Sequence, residues 1–183
     1  MNYRRSRKPR PPLDRERLNE LALHYVGRYA TTRAKLSSYL SRKVRERGWD
    51  GSGEPDIDRI VQRFAETGLV DDAAYALSKS RSLSERGYGG GRVRLALRAA
   101  GIGEDDSAAA HELAGEQAVE AALKFARRRR RGPYGEPGLD RKEREKAIGA
   151  MVRAGHSFEL ARAIVNLSPD DELDLDDLRT KCR

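Results

Sequence analysis

Three glycines recur along this 183-residue chain at an almost constant interval, and that interval constrains the fold more than any other feature. Gly48, Gly101 and Gly155 are 53 and 54 residues apart, and each follows a segment with helical periodicity. Glycine often ends a helix because it adopts the left-handed conformation without a steric penalty. Apolar residues stand four and eight positions before each glycine: Val44 and Leu40, Leu97 and Val93, Met151 and Ala147. A period of about fifty residues predicts three copies of a three-helix unit in series.

The residue after each of these glycines is apolar in the first two copies and polar in the third. It is Trp49, then Ile102, then His156. The histidines His24, His111 and His156 lie far apart and lack partners at metal-ligand spacing. We therefore interpret them as ordinary surface or helix-contact residues and expect no metal site.

The composition favours small helical units over one large core. Hydrophobic residues make up 38% of the chain and charged residues 36%, so each unit has only a thin apolar face. Apolar β-branched runs are absent, which argues against strands. The predicted fold class is all-α: an elongated tandem array of three three-helix repeats.

Five segments follow from the repeat and from the distribution of charge. They are a disordered basic N-terminal arm at 1–12, repeats at 13–68, 69–115 and 116–167, and an acidic, weakly helical C-terminal tail at 168–183. The net charge of +8 is uneven, with +5 in the arm and −3 after Leu167. Such a basic balance favours polyanionic partners.

The junction between the first two repeats reads as one helix ending and the next beginning. Ile57, Ile60, Val61 and Phe64 recur at helical spacing before it. A carboxylate just after the glycine would accept the first free N–H groups of the next helix. Across the chain, the predicted structural caps are Gly48, Gly68, Asp71, Asp72, Gly101 and Gly155.

This junction also carries a family resemblance. The stretch from Gly68 to Ala76, followed by Arg86–Val93 and Leu97–Ile102, resembles the signature of the RecX family, regulators of the RecA recombinase. The resemblance runs from about Leu18 to Val165 and implies tandem three-helix modules. It also implies that the protein binds RecA, lies in the groove of the RecA–DNA filament across neighbouring subunits, and restrains ATP hydrolysis, strand exchange and co-protease activity.

No catalytic constellation is present in the sequence, so we expect neither an enzyme nor a cofactor. Binding is the better hypothesis, and basic side chains on helical surfaces are its candidates. The candidate RecA- or DNA-binding residues are Arg28, Arg33, Lys43, Arg92, Arg94, Arg98, Arg127, Arg128, Arg129, Arg130, Arg131, Arg141, Lys142 and Arg144. Single basic residues are often only solvated or paired with nearby acids. Five consecutive arginines, in contrast, repel one another unless an anion meets them.

Aromatic residues for base stacking are scarce, and Tyr88 and Tyr134 are the two in glycine-rich turns, where they are exposed or pack locally. Without a base-reading element, any DNA contact is expected to be weak and independent of sequence. The alternative function is a sequence-independent DNA- or RNA-binding helical-repeat protein without a dedicated protein partner. The lone Cys182 and the lack of a membrane-length apolar run predict a cytoplasmic protein, and we expect a monomer.

Overall fold

α-Helices form nearly all of the regular structure of this protein. The computed structural model describes residues 10–169, 171 and 174–180. These residues contain ten α-helices: α1 (Arg15–Val26), α2 (Arg33–Arg47), α3 (Ile57–Glu66), α4 (Asp72–Glu85), α5 (Gly90–Ala99), α6 (Glu104–Glu116), α7 (Ala118–Arg129), α8 (Arg141–Arg153), α9 (Phe158–Val165) and α10 (Leu175–Thr180). They also contain a 3₁₀ turn at Gly132–Tyr134 and an isolated parallel bridge between Leu13 and Trp49. The predicted all-α class is confirmed. Residues 1–9, most of the predicted arm, and Cys182 lie outside the described residues.

The first of two compact units ends at Asp71 and contains α1, α2 and α3. Side-chain caps begin all three of its helices. Asp14 Oδ1 accepts the Arg17 N–H at 2.9 Å, Thr32 Oγ1 accepts the Lys35 N–H at 3.2 Å, and Asp56 Oδ1 accepts the Arg59 N–H at 3.1 Å. One hydrophobic core joins the three helices; its buried members are Leu13, Leu18, Ala22, Leu36, Leu40, Ile60, Val61, Phe64 and Val70.

The second unit begins at Asp72 and contains α4 to α10. Its buried apolar residues form two clusters. One joins α4, α5 and α6 and includes Ala76, Leu83, Val93, Leu97 and Ile102. The other, which we call the third cluster, joins α7, α8 and α9, includes Phe125, Met151, Leu160 and Ile164, and also contains Leu178 of α10. Each cluster thus unites three consecutive helices, as a three-helix repeat requires, and the third cluster adds α10. The assigned repeat boundaries remain a prediction.

The second and third periodic glycines end their helices with the same hydrogen-bond pattern. The Gly101 N–H donates to Arg98 O at 3.0 Å and the Ile102 N–H to Leu97 O at 3.2 Å. In the same way, the Gly155 N–H donates to Val152 O at 2.9 Å and the His156 N–H donates to Met151 O at 3.2 Å. This is the Schellman arrangement, in which the residue after the glycine packs back on the helix. His156 therefore occupies the buried position that Ile102 holds one repeat earlier.

Gly48 ends α2 differently. Its N–H donates to Val44 O at 2.8 Å, and its ψ of 168° leads into an extended segment. The backbone of Leu13 pairs with that segment, donating to Gly48 O at 2.9 Å and accepting from the Asp50 N–H at 2.8 Å. Trp49 packs against the first core, and its Nε1–H donates to Gly53 O at 2.7 Å. The first repeat thus keeps the spacing of the glycine but not the hydrogen-bond pattern.

Several helix ends differ from the sequence prediction. α5 begins at Gly90, inside the glycine-rich segment around Tyr88 that the sequence predicted to be a turn. Glycine is tolerated there because the first N–H groups of a helix need no intrahelical acceptor, and the Gly91 N–H instead donates to Gly155 O at 2.9 Å. α4 begins at Asp72, which is buried, so Asp71 occupies the position directly before the helix. Gly68, after α3, has a φ of +71°.

The acidic tail is more firmly attached than the sequence indicated. Its helix α10 packs on the third cluster through Leu178, of which only 3% is exposed. Arg179 Nη2 lies 3.1 Å from Glu120 Oε1 on α7 and adds an exposed ion pair. One buried apolar side chain and one exposed ion pair thus connect α10 to the rest of the second unit.

Two glycine segments meet backbone to backbone inside the second unit. The Gly89 N–H donates to Ala154 O at 3.0 Å, and Gly155 O accepts the Gly91 N–H, as described above. A Cβ on either Gly89 or Gly155 would overlap the facing backbone. This junction fixes the start of α5 against the end of α8, and it places the turn at Tyr88 beside α7.

Candidate functional site: arginines around Tyr88

Tyr88 lies in the turn between α4 and α5 and is half-buried. Its N–H donates to Leu83 O at 3.0 Å, which closes α4. Its ring packs against both hydrophobic clusters of the second unit. The ring is therefore held in place from both sides.

Three arginines surround this ring, and we call the four residues the Tyr88 cluster. The guanidinium carbons of Arg86, Arg92 and Arg128 lie 5.5, 5.9 and 5.9 Å from the ring centroid. They come from the turn after α4, from α5 and from α7. Arg128 Nη1 also donates to Arg86 O at 2.8 Å, which joins α7 to the turn. Tertiary packing thus concentrates three positive charges on one exposed surface.

The electrostatics of the Tyr88 cluster favour an anionic ligand. None of the ion pairs found in the described part of the chain involves its arginines. Each cation gains about 0.5–1 kcal/mol from the ring face at an exposed site. The guanidinium groups still carry free N–H donors, whose planar geometry matches phosphate and carboxylate oxygens.

The side chains of the five-arginine run approach more than one aromatic ring, and their role in binding stays a prediction. α7 ends at Arg129, and Arg130 turns the chain with a φ of +51°, which redirects the last residues. Arg127 lies over Tyr134 at 4.8 Å, whereas Arg128 joins the Tyr88 cluster and also lies 5.6 Å from the Phe125 ring, which Arg129 approaches at 5.8 Å. Arg127 contacts a different ring from the two arginines after it, because successive helical residues point about 100° apart.

The other candidates are spread over exposed surfaces of their own units. Lys43 Nζ lies 2.6 Å from Glu46 Oε2, and this hydrogen bond lowers the pKa of the Glu46 carboxyl. Arg141 Nε lies 2.9 Å from Glu145 Oε1. These two residues are therefore at least partly neutralised within their own helices. The remaining exposed candidates are Arg28, Arg33, Arg94, Arg98, Lys142 and Arg144.

Sequence reasoning missed Arg86, the third cation of the cluster. Arg86 stands two residues before Tyr88 and directly follows α4. The short distance in sequence between Arg86 and Tyr88 was the signal that could have identified Arg86. The approach of Arg128, 42 residues later, depends on the packing of α7 and had no local signal.

The buried His156 side chain contacts both the turn that contains Gly87 and the third cluster. Its Nε2 lies 3.2 Å from Gly87 O, and its ring meets the Phe125 ring edge-on at 5.7 Å between centroids. Burial lowers the pKa of His156, and the hydrogen bond to Gly87 opposes this shift only in part. The imidazole is therefore neutral near pH 7 and donates to Gly87 O through Nε2–H.

This burial predicts a loss of stability in mild acid. Because the pKa of His156 is lower in the fold than its ordinary 6.5, the unfolded chain binds the proton more readily below about pH 6.5. The contribution of neutral His156 is complete above that pH and declines as the pH falls. We expect His156→Ile, which copies Ile102, to reduce the difference in unfolding free energy between pH 7.5 and 5.5. Urea unfolding followed by circular dichroism tests this; an unchanged pH difference would refute the role of His156.

The described residues contain neither a candidate metal cluster nor a candidate membrane-spanning helix. No group of three or more His, Cys, Asp or Glu there has a metal-binding arrangement. No helix within that part of the chain has both the length and the apolar character to cross a membrane.

Comparisons with known proteins give consistent matches. Residues 71–110 match the family model described as "RecX, second three-helix domain". "Regulatory protein RecX" of Myxococcus xanthus (strain DK1622) is 32% identical over 163 residues, which cover 83% of this chain and 86% of the relative. The protein of the same name from Mycobacterium sp. (strain JLS) is 34% identical over 166 residues, which cover 86% of this chain and 87% of the relative.

Two solved structures share the fold. "Crystal structure of regulatory protein RecX" has a TM-score of 0.59 at 24% identity and covers 86% of this chain and 72% of its own. "Crystal structure of RecX from Lactobacillus salivarius" has a TM-score of 0.60 at 22% identity, and the match covers 82% of this chain and 93% of that structure's chain. At such identities these structures show the fold alone.

Proposed function

The chain belongs to the RecX family of regulatory proteins, and we propose on that basis that it binds the RecA recombinase and the RecA–DNA filament. Its main effect is to inhibit the ATPase, strand-exchange and co-protease activities of RecA in DNA repair, recombination and the SOS response. It acts without catalysis of its own, in the cytoplasm and as a monomer.

The Tyr88 cluster is the observation that carries this proposal. A filament of protein on DNA offers two anionic surfaces, the phosphate backbone and acidic side chains. Three exposed arginines around a fixed ring suit either one, because each retains N–H donors that no protein acid takes up in the described structure. The ring and the hydrogen bond from Arg128 to Arg86 O hold the donors in place before binding, which reduces the entropy lost on association.

Inhibition follows from binding one state of the filament more tightly than another. A ligand shifts a conformational equilibrium only by its difference in affinity for the two states. A regulator that contacts neighbouring subunits in one arrangement therefore slows any cycle that requires them to change arrangement. Phosphate contacts would add affinity without sequence preference, and this part of the binding should weaken as the salt concentration rises.

Binding to bare and RecA-coated single-stranded DNA tests the proposal. Fluorescence anisotropy of the labelled protein at physiological salt should show weak binding to bare DNA and much tighter binding to coated DNA. Equal or tighter binding to bare DNA, with a steep salt dependence, would instead identify a sequence-independent nucleic-acid-binding protein without a dedicated protein partner.

A further inference from the structure

Three tyrosines of the first unit form a stack that the sequence did not suggest. The rings of Tyr25 and Tyr39 lie parallel within 13°, with their centroids 4.1 Å apart. The Tyr29 ring contacts the Tyr25 ring at a centroid distance of 5.4 Å and is tilted by 50° to it, so this second contact is not a parallel one. We call these three residues the tyrosine stack. It joins the end of α1 to the middle of α2.

Two rings of the tyrosine stack are partly buried, and the third is exposed to solvent. Tyr25 and Tyr39 pack against the first hydrophobic core and are only partly exposed. Tyr29, in contrast, is 53% exposed. Its backbone is fixed nevertheless, because its N–H donates to Tyr25 O at 3.0 Å. An aromatic ring at a defined position therefore remains available to solvent.

Basic groups flank the tyrosine stack. The Arg42 guanidinium carbon and the Lys43 ammonium each lie 5.8 Å from the Tyr39 ring centroid. Glu46 neutralises part of this charge, with Oε1 3.8 Å from Arg42 Nε and Oε2 2.6 Å from Lys43 Nζ. Arg28 directly precedes Tyr29 and is exposed. The surroundings of the stack thus keep an excess of positive charge.

An exposed ring beside cations is the arrangement by which proteins hold single-stranded nucleic acid. Each unpaired base can stack on an aromatic face, and its phosphates lie near the basic side chains. Duplex DNA cannot use the ring in this way, because its bases are already stacked inside the helix. We propose that Tyr29 stacks on an unpaired base of single-stranded DNA, with Arg28 contacting the adjacent phosphate and Arg42 adding positive charge at the Tyr39 end of the tyrosine stack. The choice of DNA rests on the proposed function at the RecA–DNA filament.

The test compares variants of the full chain in binding a fluorescein-labelled oligo(dT). Tyr29→Ala should weaken binding about tenfold, the order of one stacked base. Tyr29→Phe, which keeps the ring, should bind as the unchanged protein does. Leu23→Ala is the matched control, because Leu23 is a similarly exposed apolar residue on α1 that belongs to no ring contact. Wild-type affinity in Tyr29→Ala, or an equal loss in the control, would overturn the inference.

An abasic oligonucleotide separates stacking from charge. It carries the same phosphates without bases, so the unchanged protein should bind it about tenfold more weakly than oligo(dT). Tyr29→Ala should then show no further loss on the abasic strand, nor on a duplex of equal length. A loss of the same size on all three ligands would mean that Tyr29 supports the fold or the charge, and the stacking proposal would be wrong.

RecA ATPase inhibition, measured with the same variants, distinguishes this inference from the proposed function. If the unchanged protein does not inhibit RecA but the oligo(dT) difference holds, the proposed function fails and the stacking site stands. If it inhibits RecA and Tyr29→Ala binds oligo(dT) normally, the stacking site fails and the function stands.

Discussion

Gly155→Ala is expected to lower the unfolding free energy of the second unit by roughly 3 kcal/mol or more. Gly155 has a φ of +96°, which already costs a residue with a Cβ about 1–2 kcal/mol. The added Cβ would also overlap the backbone nitrogen of Arg92 and lie 2.8 Å from Gly89 O. Because these are backbone atoms, relief requires α5 to move away from the end of α8. Urea unfolding monitored by circular dichroism measures the loss.

Gly138→Ala is the matched control in the same unit. Gly138 has a similar φ of +83°, but a Cβ there would meet nothing within 4 Å. It should therefore show the conformational cost alone, about 1–2 kcal/mol. If Gly155→Ala lowers the unfolding free energy no more than Gly138→Ala does, the two glycine segments do not approach each other as closely as described.

Arg92→Ser combined with Arg128→Ser should weaken binding to the RecA–DNA filament roughly tenfold to a hundredfold. Each charge-assisted hydrogen bond lost to an anion is worth about 1.5–3 kcal/mol, and part of that loss is recovered by solvation. The fold should persist, because both side chains are exposed and Arg128 contributes one exposed hydrogen bond to it. Anisotropy with RecA-coated DNA gives the affinity, and circular dichroism verifies the helix content.

A charge-matched variant separates the site from the overall charge. Lys146→Ser with Arg162→Ser removes the same two positive charges from exposed positions on α8 and α9, outside the Tyr88 cluster. It should bind the coated DNA nearly as the unchanged protein does. Equal weakening in both double variants would mean that net charge, and not the cluster, governs binding.

The helices could be predicted from sequence because their signals are local. Asp140 and Ser157 stand where α8 and α9 begin, and both accept the expected backbone N–H, with Asp140 and Glu143 forming a full capping box. The glycine period likewise marks real helix ends, since it depends only on backbone conformation over a few residues. The family followed from such short segments taken in order.

The candidate site was less predictable because it depends on tertiary packing. Arg86 and Arg128 are brought together by contacts between α4 and α7, and no local pattern encodes their distance from Tyr88. The ring contacts of the five-arginine run had no local signal either: Arg127 lies over Tyr134, whereas Arg128 and Arg129 both approach Phe125. The tyrosine stack escaped notice for the same reason, since Tyr39 approaches Tyr25 only through the pairing of α1 and α2.

The DNA-dependent ATPase of RecA, titrated with this protein, tests the central claim most directly. A parallel titration on bare single-stranded DNA, read by anisotropy, gives the concentration at which the protein coats the DNA. The proposed function predicts inhibition at substoichiometric protein, well below that concentration. ATPase loss that appears only as the DNA becomes coated would contradict it and would indicate competition for DNA.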